Sequence, residues 1–223
     1  MKKRLAVIFD MDGVILDSER LMNESWRTIA RIDGLQNIDA VLERCTGLNR
    51  VAFGEVFCEQ YGKDFPVDVY LQRMREEMMR MCGGMVPTKP GVAQVLSELR
   101  SEGIPVALAT STSADIVRTE LEAVGVLEAF DIIVTGEMVK ASKPAPDIFL
   151  LAAERLGVQP ECCLVVEDSH NGIRAAKNAG MRPIMVPDVQ SVTDEMEHLA
   201  EWILPSLKDV VNLALTLRNE MGN

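Results

Sequence analysis

The chain has only two histidines, His170 and His198, in 223 residues. A histidine-based metal site or a Ser-His-Asp triad therefore has too little material. Positive charge is also short: 23 lysines and arginines face 34 aspartates and glutamates, a net charge of −11. A nucleic-acid binder carries a basic footprint, so no nucleic-acid partner is expected. Long apolar runs are absent. None approaches the roughly 18 residues needed to cross a bilayer, and no membrane partner is expected. The basic start Lys2-Lys3-Arg4 reads as a solvated terminus, because Asp10 ends the apolar run behind it too soon for a secretory signal. The five cysteines form no Cys-x-x-Cys pair, and their odd number suits a reducing cytoplasm. Cys162-Cys163 at a strand start reads as small core filling. Aromatics make up only 4% of the chain, so the core should be aliphatic and methionine-rich. Neither repeats nor low-complexity tracts occur. The expectation is a cytoplasmic monomer.

What the chain does hold is 48% hydrophobic residues, enough for one large domain or a domain plus a small one. The apolar run Leu5-Ala6-Val7-Ile8 leads into Phe9-Asp10-Met11-Asp12-Gly13. In extended backbone, positions i and i+2 point to the same side, so Asp10 and Asp12 can face one site. Such a pair needs a cation or a shared proton and suits a nucleophile beside an acid/base. An Asp-rich turn without chemistry explains this motif alone about as well.

The pattern then repeats. Pro105–Ala109 ends on Thr110-Ser111-Thr112-Ser113. Ile132–Val134 ends on Thr135-Gly136, with Lys143-Pro144 shortly after. Cys163–Val166 ends on Glu167-Asp168-Ser169, and Pro183–Val186 on Pro187-Asp188. Helical spacing fills the gaps at Val92–Leu99, Ile116–Val124, Ile148–Leu156 and Ile173–Ala179. Strand alternating with helix predicts an α/β fold, a Rossmann-like parallel sheet with right-handed crossovers. Near-continuous apolar strands fit a sheet covered on both faces. Ligands bind at the carboxyl ends of such strands, so Asp10, Asp12, Thr110, Ser111, Lys143, Glu167 and Asp168 should share one rim.

Residues 16–86 contain no strand-like run although they fall between the first two strands. A crossover needs only about a dozen residues, so this stretch should be a small inserted helical domain, with the core formed by 1–15 and 87–223. Met22, Trp26 and Ile29 mark one helix, Val51, Val56 and Phe57 another, and Leu71, Met74, Met78 and Met81 a third. Pro66 and Gly83-Gly84 punctuate the segment, and linkers fall near Asp17 and Met85-Val86-Pro87. The methionine stripe reads as internal packing, with a pliable substrate-facing wall as the sharper alternative.

Asp10-Met11-Asp12-Gly13, Thr110, Lys143-Pro144 and Glu167-Asp168 resemble, in order, the four motifs of the haloacid dehalogenase superfamily. Asp10–Ile15, Ser142–Phe149 and Glu167-Asp168-Ser169 with Gly172-Ile173 look like its beta-phosphoglucomutase-like phosphatase branch. The resemblance implies an α-helical cap over the active site and a Mg2+-dependent phosphatase acting on a small phosphorylated metabolite. It implies that Asp10 is the nucleophile that becomes an aspartyl-phosphate and that Asp12 is the acid/base. Thr110 and Ser111 would hold phosphate oxygens, and Lys143 would neutralise charge. Mg2+ would be held by Asp10, Asp168, the Asp12 backbone carbonyl and Glu167, the last directly or through water.

Plainer readings stand beside these. Thr110 and Ser111 could cap the next helix, although Ser113 is available for that. Lys143 could be a surface lysine, but the prolines around it suit a positioned charge. Thr46-Gly47-Leu48-Asn49-Arg50 resembles the phosphate-gripping loop of the beta-phosphoglucomutases, so Arg50 could hold a substrate anion or be a surface arginine. Those mutases carry a histidine where this chain has Met22. That departure favours hydrolysis and leaves a sugar phosphomutase as the alternative.

Overall fold

The computed structural model describes residues 4–222; Lys2 and Lys3 lie outside the described residues. The five apolar runs form β1 (Ala6–Phe9), β2 (Val106–Thr110), β3 (Ile132–Thr135), β4 (Cys163–Glu167) and β5 (Arg182–Met185). A sixth strand, β6 (Trp202–Ile203), is too short for a sequence run to reveal it. All pair in parallel, in the order β3-β2-β1-β4-β5-β6. The fold is α/β.

Both faces of the sheet are covered. Val7 and Phe9 point into one apolar cluster, and Ala6 and Ile8 into the other. Cys162 and Cys163 are buried in the second cluster among alanines, as expected of small filling residues. Strand order reverses direction at β1, which has β2 on one side and β4 on the other. Its carboxyl end is thus the switch point where such sheets bind ligands.

The first four helices after β1 are α1 (Ser18–Asp33), α2 (Ile38–Cys45), α3 (Arg50–Tyr61) and α4 (Val67–Met81). The remaining helices are α5 (Val92–Ser101), α6 (Ala114–Ala123), α7 (Asp147–Leu156), α8 (His170–Asn178), α9 (Asp194–Leu199) and α10 (Lys208–Gly222). On α3, Val56 and Phe57 pack as expected, but Val51 does not. Val51 is 70% exposed, and the packing face runs through Phe53 and the fully buried Phe57. Aromatic neighbours decide this. Trp26 lies 4.6 Å from Phe57, and Phe53 and Phe57 stack at 4.5 Å. Tyr61, Phe65 and Tyr70 extend the same cluster. The few aromatics of this chain are therefore concentrated in the inserted helices. Among the described residues, no helix is long and apolar enough to cross a membrane.

Candidate active site

The carboxyl end of β1 carries the first acid. Asp10 is still tied to the sheet, its N–H donating to the Val166 carbonyl at 3.0 Å. The chain then reverses through Gly13, whose φ of 75° suits glycine. A side chain there would collide with Asp168, because a Cβ would stand 2.3 Å from Asp168 Oδ2. The tight turn thus brings the loop after β1 against the loop after β4.

Lys143 fills the space between them. Only 2% exposed, it donates to Asp10 Oδ1 at 2.7 Å and to Glu167 Oε1 at 2.6 Å. Burial alone would lower its pKa, but the two carboxylates more than reverse that and hold the ammonium charged. The reading of Lys143 as a surface lysine is excluded. Asp168 joins the cluster, with carboxylate oxygens of Asp10, Glu167 and Asp168 within 4.8 Å of one another. Three buried acids against one ammonium cannot all ionise without a further cation. The protonation behaviour follows. Burial raises Asp10 to about 7 despite the pull of Lys143, with Glu167 and Asp12 adding to the rise. Asp168 is pushed well above its ordinary value by burial and then by Glu167.

Glu167 is fully committed. Its second oxygen accepts from the N–H groups of Asp168 and Ser169 and from Ser169 Oγ, at 2.9–3.0 Å. Ser169 Oγ also caps α8 by accepting from the Gly172 N–H at 3.0 Å. Glycine at 172 is obligatory, because a Cβ would lie 1.8 Å from Glu167 Oε1. Asp168 is the opposite case: its Oδ2 is buried without a hydrogen-bond partner. An orphaned carboxylate oxygen in such a cluster fits a hard divalent cation such as Mg2+, which prefers carboxylate oxygens.

Asp12 stands at the edge of this cluster. Its carboxylate accepts from Ser18 Oγ at 2.6 Å and Thr112 Oγ1 at 2.7 Å. Neither hydroxyl was assigned a role from sequence. Ser18 reaches Asp12 because Leu16 bridges both Asp12 and Thr88 and so fixes the entry of α1. Thr110 is fully buried, and its Oγ1 accepts from the Thr112 N–H at 3.1 Å. It lies beneath the cavity lining, whereas Ser111 is part of that lining. Ser113 takes the cap position of α6 but makes no side-chain cap bond there, and Glu137 instead accepts from the Ala114 N–H at 3.1 Å.

Above the rim lies a cavity of about 540 Å³, roofed by α1, α2, α3 and α4. The loop Thr46–Asn49 is tied to the core at three points. Ser111 Oγ donates to the Gly47 carbonyl at 3.0 Å, Asn171 Nδ2 to the Thr46 carbonyl at 2.9 Å, and the Asn49 N–H to Ser142 Oγ at 2.7 Å. Arg50, on the cavity's edge, pairs with Asp68 at 2.7 Å, both largely exposed. Two further acids were not foreseen. Glu19, 8% exposed, lines the cavity and is raised to about 8 by burial and by Asp12. Glu120 on α6 pairs across the cavity with Arg75 on α4 at 2.9 Å and is raised to about 7, chiefly by burial. Met74 and Met78 are buried and also line the cavity, so the methionine stripe packs the helices and forms wall at once.

The sequence profile of the haloacid dehalogenase-like hydrolases matches residues 7–186, a span that begins within β1 and ends just past β5. The chain belongs to that family. Its relatives include a Thermotoga maritima protein named phosphorylated carbohydrates phosphatase, 36% identical over 80% of this chain and 83% of that one. A Drosophila melanogaster protein named probable pseudouridine-5'-phosphatase is 36% identical, covering 94% of this chain and 92% of that one. Among solved structures, CbbY from Rhodobacter sphaeroides in complex with phosphate superposes with a TM-score of 0.75. It is 30% identical, with 92% of this chain and 95% of that chain covered. Relatives across the family are named phosphatases, and this chain is a phosphatase of the haloacid dehalogenase type acting on a phosphorylated metabolite.

Proposed function

We propose that the protein is a Mg2+-dependent phosphatase that hydrolyses a small phosphate monoester through an aspartyl-phosphate on Asp10. The observation that carries this reading is the buried group Asp10, Glu167, Asp168 and Lys143, with more acids than its one ammonium can hold ionised and one orphaned oxygen on Asp168. Asp10 and Asp168 would hold the metal through their side chains, with the Asp12 carbonyl and Glu167 completing the set. Both oxygens of Glu167 are already engaged, which suits contact through water. Bound Mg2+ would screen the phosphate dianion from the attacking carboxylate.

The protein's own groups carry the steps. Asp10 attacks phosphorus and takes the phosphoryl group while the bond to the leaving oxygen breaks. Asp12, fixed by Ser18 and Thr112, gives that oxygen its proton. A water then attacks the aspartyl-phosphate, Asp12 recovers a proton, and inorganic phosphate leaves. Lys143 stabilises charge on the transferring oxygens. Thr110 and Ser111 support the phosphate site. Residues 16–86 act as a cap on the core formed by 1–15 and 87–223, closing the cavity over the rim.

Mutase activity is not favoured. It needs a second phosphate gripped in the cavity; there Arg75 is held by the buried Glu120, and Arg50 is shared with the exposed Asp68. The test is phosphate release from phenyl phosphate, with Mg2+ and with chelator, by wild type and Asp10→Asn. Release should require Mg2+ and fall about 10⁴-fold or more in Asp10→Asn. Full turnover in that variant would refute the nucleophile assignment.

A further inference from the structure

The cavity wall sets polar residues among apolar ones. Asn23 on α1 stands beside Met22, Arg75 on α4 beside Leu71, and Glu120 on α6 beside Ile116. Met22, Leu71 and Ile116 are only partly buried, so surface remains there for a ligand. One polar feature spans the cavity. Arg75 Nη1 donates to Glu120 Oε1 at 2.9 Å, with the Glu120 side chain 4% exposed and that of Arg75 30%. The pair is half used. Glu120 Oε2 accepts from no described residue, and Arg75 Nη2 and Nε donate to none. A nearly buried carboxylate oxygen without a donor is costly, and a buried ion pair is weak evidence of stabilisation. A strap between α4 and α6 therefore does not explain the arrangement. The spare atoms are an acceptor and donors side by side, with no net charge. Neighbouring hydroxyls use both at once. A second phosphate would have to displace Glu120 from Arg75, and an alkyl group would leave both unmet.

The position of Glu120 on α6 sets its distance from the phosphate. Ser113, at the cap of α6, lines the cavity next to Thr112, which holds Asp12. Glu120 lies about two turns further on, roughly 10 Å along the helix axis, and its side chain leans back towards the rim. The pair thus stands beyond the carbon that carries the phosphate, and a three-carbon body falls short. Resting on the phosphatase reading, we infer that Arg75 and Glu120 are specificity-determining residues that read neighbouring hydroxyls at the far end of the substrate, the single-phosphate ester of a sugar or sugar alcohol of about five or six carbons. The phosphate sits on the rim, the carbon chain lies along Met22, Leu71 and Ile116, and the hydroxyls farthest from phosphorus engage the spare oxygen and N–H groups of the pair. Charge-assisted hydrogen bonds there discriminate, because a body without hydroxyls strands both partners.

The test compares bodies of equal length. With Mg2+ present, the best of ribose 5-phosphate, ribitol 5-phosphate, fructose 6-phosphate and glucitol 6-phosphate should exceed pentyl and hexyl phosphate in kcat/KM by about 30-fold or more, and glycerol 3-phosphate by about tenfold or more. Glu120→Ala should lower the ratio of that best substrate to its alkyl counterpart at least about tenfold, mainly through KM. Arg75→Ala, at the more exposed end of the pair, should lower it as well. Equal loss on polyol and alkyl esters would make the pair a strap and overturn the inference, as would equal or better use of the alkyl esters or of glycerol 3-phosphate. Failure to release phosphate from phenyl phosphate counts against the phosphatase reading alone. Binding is then read without turnover, by calorimetry with phosphonates in which CH2 replaces the ester oxygen. The tighter of the ribitol 5-phosphate and glucitol 6-phosphate analogues should bind wild type at least about tenfold more tightly than hexylphosphonate, and Glu120→Ala should erase most of that margin. Equal affinities, or the reverse order, overturn the inference whatever the protein hydrolyses.

Discussion

The rim and the roof of the same cavity are built by opposite rules. On the rim, nearly every polar atom is spoken for. Lys143 has two carboxylate partners, Glu167 has four donors across its two oxygens, and Asp12 has two hydroxyls. Asp168 Oδ2, buried without a partner, is where a cation belongs. Such over-determination holds reacting groups in place before substrate arrives, which is what electrostatic catalysis requires. On the roof, methionine, leucine and aromatic surface is interspersed with Glu19, Asn23, Gln72 and the Arg75–Glu120 pair. Apolar packing is non-directional and methionine is pliable. The roof can therefore change its tenant by small substitutions, while the rim cannot change without losing the reaction.

Striking the rim should have the largest effect. Lys143→Met leaves Asp10 and Glu167 buried and mutually repelling, so metal-free protein should lose about 3–5 kcal/mol of stability. Thermal unfolding in chelator reads this directly. A melting temperature within a degree or two of wild type would mean that the rim relaxes and is not rigid. Asp168→Asn should weaken Mg2+ binding about 30-fold or more in calorimetric titration, because an anionic ligand is replaced by a neutral one. Unchanged affinity would move the metal elsewhere.

The junction of rim and roof can be probed through pH. Glu19 is raised to about 8 in the folded protein from an ordinary value of 4.5. Its folded state therefore keeps a proton that the unfolded chain has released. Stability from this source is complete below pH 4.5 and is lost progressively as pH rises towards 8. In chelator, wild type should lose melting temperature across that window, and Glu19→Gln should lose about 3 °C less per pH unit. Parallel curves would place Glu19 in water. The smallest effect belongs to the roof's margin. Arg50→Ala breaks an exposed pair, and kcat/KM should change less than about threefold. A tenfold loss confined to doubly phosphorylated substrates would restore Arg50 as an anion-gripping residue.

The sheet was legible because strands buried on both faces must be apolar throughout, and each such run stops where a polar rim residue begins. Asp10, Glu167 and Asp168 were legible for the same reason, being the first polar residues past a strand end. On α3, Val56 and Phe57 were legible, but Phe53 takes the place expected for Val51, because that helix chooses its side by aromatic contacts with other helices and not by its own spacing. Ser18, Thr112, Glu19 and the Arg75–Glu120 pair were not legible at all. Arg75 and Glu120 stand 45 residues apart, and only the angle between α4 and α6 brings them together. Strand β6, two residues long, is made by pairing with β5 and has no pattern of its own.

The Asn49 amide has a consequence of another kind. Its proton is donated to Ser142 Oγ, 93 residues away, so this bond joins the loop before α3 to the loop that carries Lys143. Most amides in a helical segment exchange with deuterium when their own helix frays. This one exchanges only when the Thr46–Asn49 loop lifts from the core. A single resonance therefore works as a clock on that separation, readable in resting enzyme with no substrate present. Its rate, set beside the turnover number, would tell whether the catalytic cycle waits for chemistry or for the loop to let go.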